Sequence, residues 1–198
     1  MKKVLVTGGL GYIGSHTVVN LVETGYEVVI VDNYSNSDPK ILLQIKKILG
    51  NKKNKVIFYN LNVCDKESLS QIFEKNDIYG VIHFAGFKAV AESVSKPLMY
   101  YKNNLISTII LLELMEEYKI YNFVFSSSAT VYGSPEKMPL DESMSTSSIN
   151  PYGRTKLWTE SILDDLCLSN NKWKVISLRY FNPIGAHKSG EFGENPQG

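Results

Sequence analysis

Tyr152 and Lys156 stand four apart in Pro151-Tyr152-Gly153-Arg154-Thr155-Lys156. On a helix such residues share a face. A phenol is a poor base at neutral pH, but a nearby ammonium favours the phenolate, and a second cation adds to the effect. Lowering a phenol pKa by ~3 units takes ~4 kcal/mol. With twelve tyrosines and nineteen lysines in 198 residues, chance supplies about one Tyr-x-x-x-Lys, so its place in the chain must decide. Upstream, Ser126-Ser127-Ser128 closes the apolar run Phe123-Val124-Phe125. Carboxyl ends of strands are where open α/β sheets bind ligands. Ser128 could donate to, or relay a proton from, a hydroxyl that Tyr152 deprotonates. The bland alternative is a surface Tyr–Lys pair and a serine that satisfies backbone.

A second group lies at the start of the chain. Val4-Leu5-Val6 runs into Thr7-Gly8-Gly9-Leu10-Gly11-Tyr12-Ile13-Gly14, with Gly8, Gly11 and Gly14 spaced G-x-x-G-x-x-G. Glycines at such spacing allow a tight turn, a close approach of bare backbone to a pyrophosphate, and close packing of helix on strand. The helix N-terminus that follows offers free N–H groups and partial positive charge. The next apolar run ends at Asp32, eighteen residues past Gly14. An acid there accepts hydrogen bonds from an adenosine ribose and repels a 2′-phosphate. The expected ligand is therefore a dinucleotide, NAD rather than NADP.

These groups need a scaffold, and the chain alternates between two periods. Val4–Val6, Val28–Val31, Val56–Phe58, Val81–Phe84, Phe123–Phe125 and Val175–Leu178 are strand candidates, apolar on both faces. Such strands suit a parallel sheet covered by helices on both sides. Helices are expected at Tyr12–Thr24, Pro39–Leu49, Lys66–Lys75, Pro97–Tyr118 and Pro151–Leu168, with Asp38 as N-cap and Pro39 as first helical residue of the second. Strict alternation predicts an α/β fold, a doubly wound parallel sheet of Rossmann type. Asn51–Lys55 reads as a solvated basic loop, and Ser143–Asn150 as a polar loop that delivers the chain to the last helix. From Asn182-Pro183 to Gly198 no pattern holds, and the sequence looks cut off in mid-loop.

The balance of 21 Lys+Arg against 20 Asp+Glu, net +1, gives no bulk attraction to nucleic acid or an anionic membrane. Cys64 and Cys167 are too few for a disulfide framework or a four-cysteine zinc site. No signal-peptide core follows Met1, and Leu105–Leu114 is too short and polar to span a bilayer. A cytoplasmic location is the expectation. His16, His83 and His187 are widely scattered, which predicts packing rather than metal ligation. Tyr100 and Tyr101 are expected to pack at a helix start, and Trp158 and Trp173 to be core or interface anchors.

Several segments together resemble the extended short-chain dehydrogenase/reductase family, and within it the nucleotide-sugar 4-epimerases. They are Val6–His16, Val81–Gly86, Lys88-Ala89-Val90, Ser126–Gly133, Pro151–Lys156 and Arg179-Tyr180-Phe181-Asn182-Pro183. The resemblance implies inversion at C4 of UDP-glucose or UDP-galactose. Tyr152 would take the 4-hydroxyl proton while hydride passes to NAD, and the 4-keto sugar would turn and receive it on its other face. Lys156 would also bind the nicotinamide ribose, and Ser128 would contact the sugar. Cofactor contacts are implied for Gly8, Gly11, Tyr12, Ile13 and Gly14. They are implied also for Asp32, Asn33, Tyr34, Ser35, Asn36 and Ser37, and for Phe84, Ala85, Gly86, Phe87 and Lys88. Asn62, Val63, Asn103, Ser128, Tyr152, Lys156, Tyr180 and Phe181 complete the cofactor set. Asn182, with Ser128 and Tyr152, would touch the nucleotide-sugar. A homodimer is implied, and no metal.

Three departures stand out. The family usually places Asp after the third strand to hold adenine; here Asn62 stands before Val63, and its amide can still hydrogen-bond. Phe87 replaces a common Leu. Family members also continue for well over a hundred residues into a sugar and uridine pocket. The division expected is residues 1–182 as the NAD-binding domain and 183–198 as the beginning of a substrate domain. Such a chain is expected to bind NAD but to be catalytically incomplete. One rival is a 4,6-dehydratase, which needs an acid and a base beyond C4; family dehydratases have Asp-Glu after the strand-five hydroxyl residue, where Ala129-Thr130 stand here. Others are an epimerase for another sugar and a non-catalytic NAD-binding fragment or sensor.

Overall fold

Six parallel strands form one sheet in the order β3-β2-β1-β4-β5-β6. The computed structural model describes residues 1–135 and 137–194. The strands are β1 (Lys3–Thr7), β2 (Glu27–Asp32), β3 (Val56–Asn60), β4 (Ile78–His83), β5 (Asn122–Ser128) and β6 (Lys174–Tyr180). The helices are α1 (Tyr12–Glu23), α2 (Lys40–Leu49), α3 (Lys66–Lys75), α4 (Val90–Ser95), α5 (Pro97–Glu117) and α6 (Pro151–Ser169). This is the doubly wound α/β architecture expected.

The continuous apolar runs follow from burial on both faces. Successive side chains of a strand point to opposite faces. Val4, Val6, Val28 and Ile30 pack with Val18, Val19 and Val22 of α1 and Ile45 and Leu49 of α2. Leu5, Val29, Val31 and Val81 pack with Leu69, Ile72, Leu111, Met115 and Leu163 on the other face. β1 lies between β2 and β4, and the order reverses there, so a crevice opens at its carboxyl end.

Local details differ from expectation in three places. α2 begins at Lys40 rather than Pro39, but Pro39 is already helical (φ −52°, ψ −26°), and the Asp38 carboxylate accepts from the Lys40 N–H at 2.8 Å. α4 was not expected, because six residues are too few to show a period. Ile176 and Leu178 of β6 are 58% and 38% exposed rather than covered. β6 is an edge strand, and α1 and α2 pack over the far end of the sheet. Residues Gly50–Lys55 form an exposed 3-10 turn.

Past β6, Ala186 and Gly193 form an isolated bridge, and Phe192 is buried against the cluster under α1 and α2. Residues 195–198, the end of the segment assigned above to a second domain and to a cut-off loop, lie outside the described residues. Among the described residues no helix is long and apolar enough to cross a membrane.

Leu5 is fully buried in the central strand and Leu98 is 81% exposed. Leu5→Ala is expected to cost about 2–5 kcal/mol in urea denaturation, and Leu98→Ala to stay within about 0.5 kcal/mol of the parent.

Candidate active site

The glycine turn takes the shape its spacing predicts. Gly8 has φ +66°, and a Cβ there would lie 2.7 Å from the Ala85 nitrogen. Its N–H donates to the Val31 carbonyl at 2.8 Å. At Gly14 a Cβ would collide with the Gly8 carbonyl oxygen, so this glycine lets α1 sit on the turn. At Gly11 a Cβ would meet only the Gly8 oxygen, at 3.3 Å. Gly11 is the N-cap of α1, with no side chain capping it, so bare backbone faces a ligand at the helix N-terminus. A pyrophosphate fits that arrangement.

Asp32 is buried and already engaged. One oxygen accepts from the Leu10 N–H at 3.0 Å, and the other from the Tyr34 N–H at 3.0 Å and the Ser37 hydroxyl at 2.8 Å. A carboxylate has about four acceptor sites, which leaves room for one further donor such as a ribose hydroxyl. Asp32 therefore also ties the glycine turn to the turn after β2, where Tyr34 holds φ +60° against Phe58. Asn33, Ser35 and Asn36 are exposed on that turn.

Across the crevice, the segment after β4 begins with the Phe84 N–H donating to the Thr7 carbonyl at 3.0 Å. Ala85, Gly86 and Phe87 are half-buried and Lys88 is exposed. The third component is the end of β5 with α6. The Asn150 side chain accepts from the Gly153 N–H at 2.8 Å, and Pro151 opens the helix. Tyr152 is half-buried, and burial pushes its phenol pKa up while the Ser128 hydroxyl pulls it down. The Lys156 ammonium donates to the Ser126 carbonyl at 2.7 Å and lies 5.8 Å from the Tyr152 ring centroid. Burial lowers its pKa to about 8, so it remains a cation at neutral pH. Ser128 accepts from the Thr130 N–H at 3.2 Å and the Thr130 hydroxyl at 3.0 Å. Both its lone pairs are thus used, and its own proton is the group left to offer.

The remaining expected residues are spread around these three parts. Asn62 is exposed, its side-chain oxygen accepts from the Cys64 N–H at 3.0 Å, and Val63 is buried in the core. The Asn103 amide donates to Asn104 at 3.0 Å. Tyr180 is half-buried, with its phenol pKa raised by burial, while Phe181 is 61% exposed and Asn182 is exposed. The Tyr12 hydroxyl donates to the Gly185 carbonyl at 2.8 Å. His16 and His187, distant in sequence, have ring centroids 6.1 Å apart, beside Phe192. Tyr100 is fully buried, Trp173 is nearly so, and Tyr101 stacks on the half-exposed Trp158. Among the described residues, no three His, Cys, Asp or Glu side chains form a metal-holding group.

One grouping escaped the sequence. Glu160, one turn after Lys156, accepts from Ser127 and from Arg179, whose Nη2 lies 2.8 Å from it, and Arg179 also reaches the Tyr132 hydroxyl at 2.9 Å. Glu160 and Arg179 stand 19 residues apart, on α6 and β6, and left no short-range signal. His83, expected above to pack, does so at the centre of a chain of hydroxyls. The Thr108 hydroxyl donates to the Asn104 carbonyl at 2.8 Å, so it accepts from His83 Nε2 at 3.1 Å, and the Thr7 hydroxyl donates to Nδ1 at 2.6 Å. His83 is a neutral, fully bonded core histidine.

The family model described as GDP-mannose 4,6 dehydratase matches residues 5–196. The chain belongs to that family. Within it, the chain is 54% identical over 197 residues to UDP-glucose 4-epimerase 2 of Arabidopsis thaliana, covering 100% of this chain and 56% of that protein. It is 53% identical to the UDP-glucose 4-epimerase of Bacillus subtilis, covering 98% and 57%. The solved UDP-glucose 4-epimerase of Bifidobacterium longum, in complex with NAD+ and UDP, superposes with a TM-score of 0.95 at 47% identity, covering 100% of this chain and 58% of that one. The chain thus spans little more than half the length of these relatives.

Burial and the Lys156 charge hold the His83 pKa at about 3 against 6.5 for a free imidazole. The unfolded chain therefore binds a proton between these values that the folded chain does not. Stability from this site is complete above pH 6.5 and is lost as pH falls toward 3. Relative to His83→Gln, the parent is expected to lose about 1 kcal/mol per pH unit between about pH 6 and 4, measured by urea denaturation at each pH.

Proposed function

We propose that the chain is the cofactor-binding and acid–base part of an NAD-dependent epimerase that inverts C4 of a nucleotide-sugar, interconverting UDP-glucose and UDP-galactose. The observation that carries this is the placement of Tyr152, Lys156 and Ser128 at the carboxyl edge of the sheet, across the crevice from the glycine turn. The UDP-glucose 4-epimerases at about half identity, one holding NAD+ and UDP, support the choice of cofactor and sugar.

Gly8, Gly11, Tyr12, Ile13 and Gly14 would hold the pyrophosphate, and Asp32 with residues 33–37 the adenosine ribose. Asn62 and Val63 would lie at adenine. Phe84–Lys88, Asn103, Lys156, Tyr180 and Phe181 would hold the nicotinamide half, and Asn182 the nucleotide-sugar. A nicotinamide held there would supply a reversible hydride acceptor for C4, with no net redox. Tyr152 accepts the 4-hydroxyl proton and gives it back. Burial holds its pKa up. The Lys156 cation favours the phenolate, and a cationic nicotinamide beside it would add to the effect. Ser128 donates to the sugar oxygen.

The family description favours a 4,6-dehydratase as a second reading. That chemistry needs a further acid and base, and Ala129 and Thr130 after Ser128 carry no carboxyl; Thr130 serves to hold Ser128. The domain division, residues 1–182 for cofactor and 183–198 opening a substrate domain, belongs to the proposal, as do a cytoplasmic location and a role in galactose metabolism. A homodimer is supported by the exposed apolar face of α5 and α6, which includes Ile106, Ile109 and Trp158.

Titration calorimetry of these 198 residues is expected to show NAD+ binding, without robust turnover of UDP-galactose. In whatever length of the protein turns over UDP-galactose, Tyr152→Phe is expected to slow the reaction by about 10²–10⁴-fold while NAD+ affinity changes little. Failure to bind NAD+, or full activity of Tyr152→Phe, would refute the proposal.

A further inference from the structure

We infer that Arg179 is a positioning residue, whose guanidinium holds the Glu160 carboxylate away from Lys156 and so leaves the Lys156 charge free for the crevice. The inference rests on the function proposed above, which gives that charge to Tyr152 and to the nicotinamide ribose.

Lys156 and Glu160 stand four apart on α6, a spacing at which a base and an acid on one helix face ordinarily pair. Each is buried, at 7% exposure. A buried ion is costly unless paired, so the two have every reason to meet. Instead the Lys156 ammonium donates to the Ser126 carbonyl at 2.7 Å and lies 4.8 Å from the Phe125 ring centroid. Glu160 forms its ion pair with Arg179. Arg179 Nε lies 3.1 and 3.3 Å from the two carboxylate oxygens, Nη2 donates to the second at 2.8 Å, and the Ser127 hydroxyl donates to the first. Nη1, the remaining nitrogen, donates to the Tyr132 hydroxyl at 2.9 Å, so the guanidinium is held from two sides.

The sheet prepares this arrangement. Ser127 of β5 and Arg179 of β6 are register partners, and partners on neighbouring strands point to one face. α6 lays Glu160 over that pair. Two cations and one anion leave one positive charge over, and the geometry puts it on Lys156. The other titratable groups beside Lys156 bring no negative charge: burial favours the protonated phenol of Tyr152, on the same helix, and His83 of β4 is neutral. Burial brings the Lys156 pKa down to about 8, with no carboxylate among the described residues raising it. Without the guanidinium, Glu160 would be a buried acid with Lys156 one turn away as its nearest cation on the helix face.

The test is a pH titration of Lys156 in the 198-residue chain without NAD+, read from its ¹³Cε resonance (assigned by its loss in Lys156→Met). Arg179→Met is expected to release Glu160 to Lys156 and to tighten proton binding at Lys156 about tenfold or more. By calorimetry it is expected to weaken NAD+ severalfold. Glu160→Gln with Arg179→Met removes acid and guanidinium together, and replacing a buried pair whole is often tolerated. This double variant is expected to return both quantities to within about threefold of the parent. A pair that serves packing alone would lower the melting temperature and leave the Lys156 titration in place. An unmoved or weakened proton affinity, or an unchanged NAD+ affinity, in Arg179→Met overturns the inference. So does a rise that persists in the double variant, because a loosened helix that wets Lys156 gives that rise with no carboxylate present. If Arg179→Met does not fold, the double variant decides alone, and a Lys156 proton affinity moved about tenfold either way overturns the inference. A parent chain that fails to bind NAD+ sinks the proposed function, while the titration still decides the role of Arg179.

Discussion

The site depends on a buried cation that no carboxylate among the described residues neutralises. Lys156 is 7% exposed, and its ammonium leans on the Ser126 carbonyl and the Phe125 ring. An ion so placed is costly unless paired. The nearest candidate on its own helix face, Glu160, gives its oxygens to Arg179 and Ser127. Arg179 in effect removes the partner that would quench Lys156. The positive charge therefore stays available to a phenolate on the same helix, and it also helps keep His83 neutral.

The sheet makes that arrangement affordable. Lys156 rests on the last turn of backbone at the end of β5, while the glycine turn lies at the end of β1, with β4 between them. Parallel strands bring all three carboxyl ends to one edge. The apolar clusters on both faces fix the strands, so polar groups at their ends need not hold the fold together.

What was legible in the sequence was what short-range rules write. The glycine spacing, Asp32 at the end of β2 and Tyr152 four before Lys156 each sit within one turn or one strand–helix unit. Asn104, Glu160–Arg179 and the His16–His187 approach were not legible, because each joins segments far apart in the chain. Asp32 was half legible: its place was clear, but its bonds to Leu10, Tyr34 and Ser37 depend on how two turns meet. The exposure of Ile176 and Leu178 was hidden because apolar content reports what a strand could bury, not whether a neighbour covers it.

The opposed shifts of Tyr152 and Lys156 have a single origin. Burial disfavours the charged form of each, raising the phenol and lowering the ammonium. Taken alone, the pair has no base at neutral pH: the phenol holds its proton and the amine keeps its charge. A further positive charge brought into the crevice would stabilise a phenolate and, by repulsion, destabilise the ammonium. The first effect acts on Tyr152, the group proposed above as the base. The second is limited by the Ser126 carbonyl, which accepts a hydrogen bond from the charged amine and favours it. With Ser126 in place, a cationic ligand would lower the Tyr152 pKa while Lys156 kept its charge, so a base at Tyr152 would exist only with such a ligand bound.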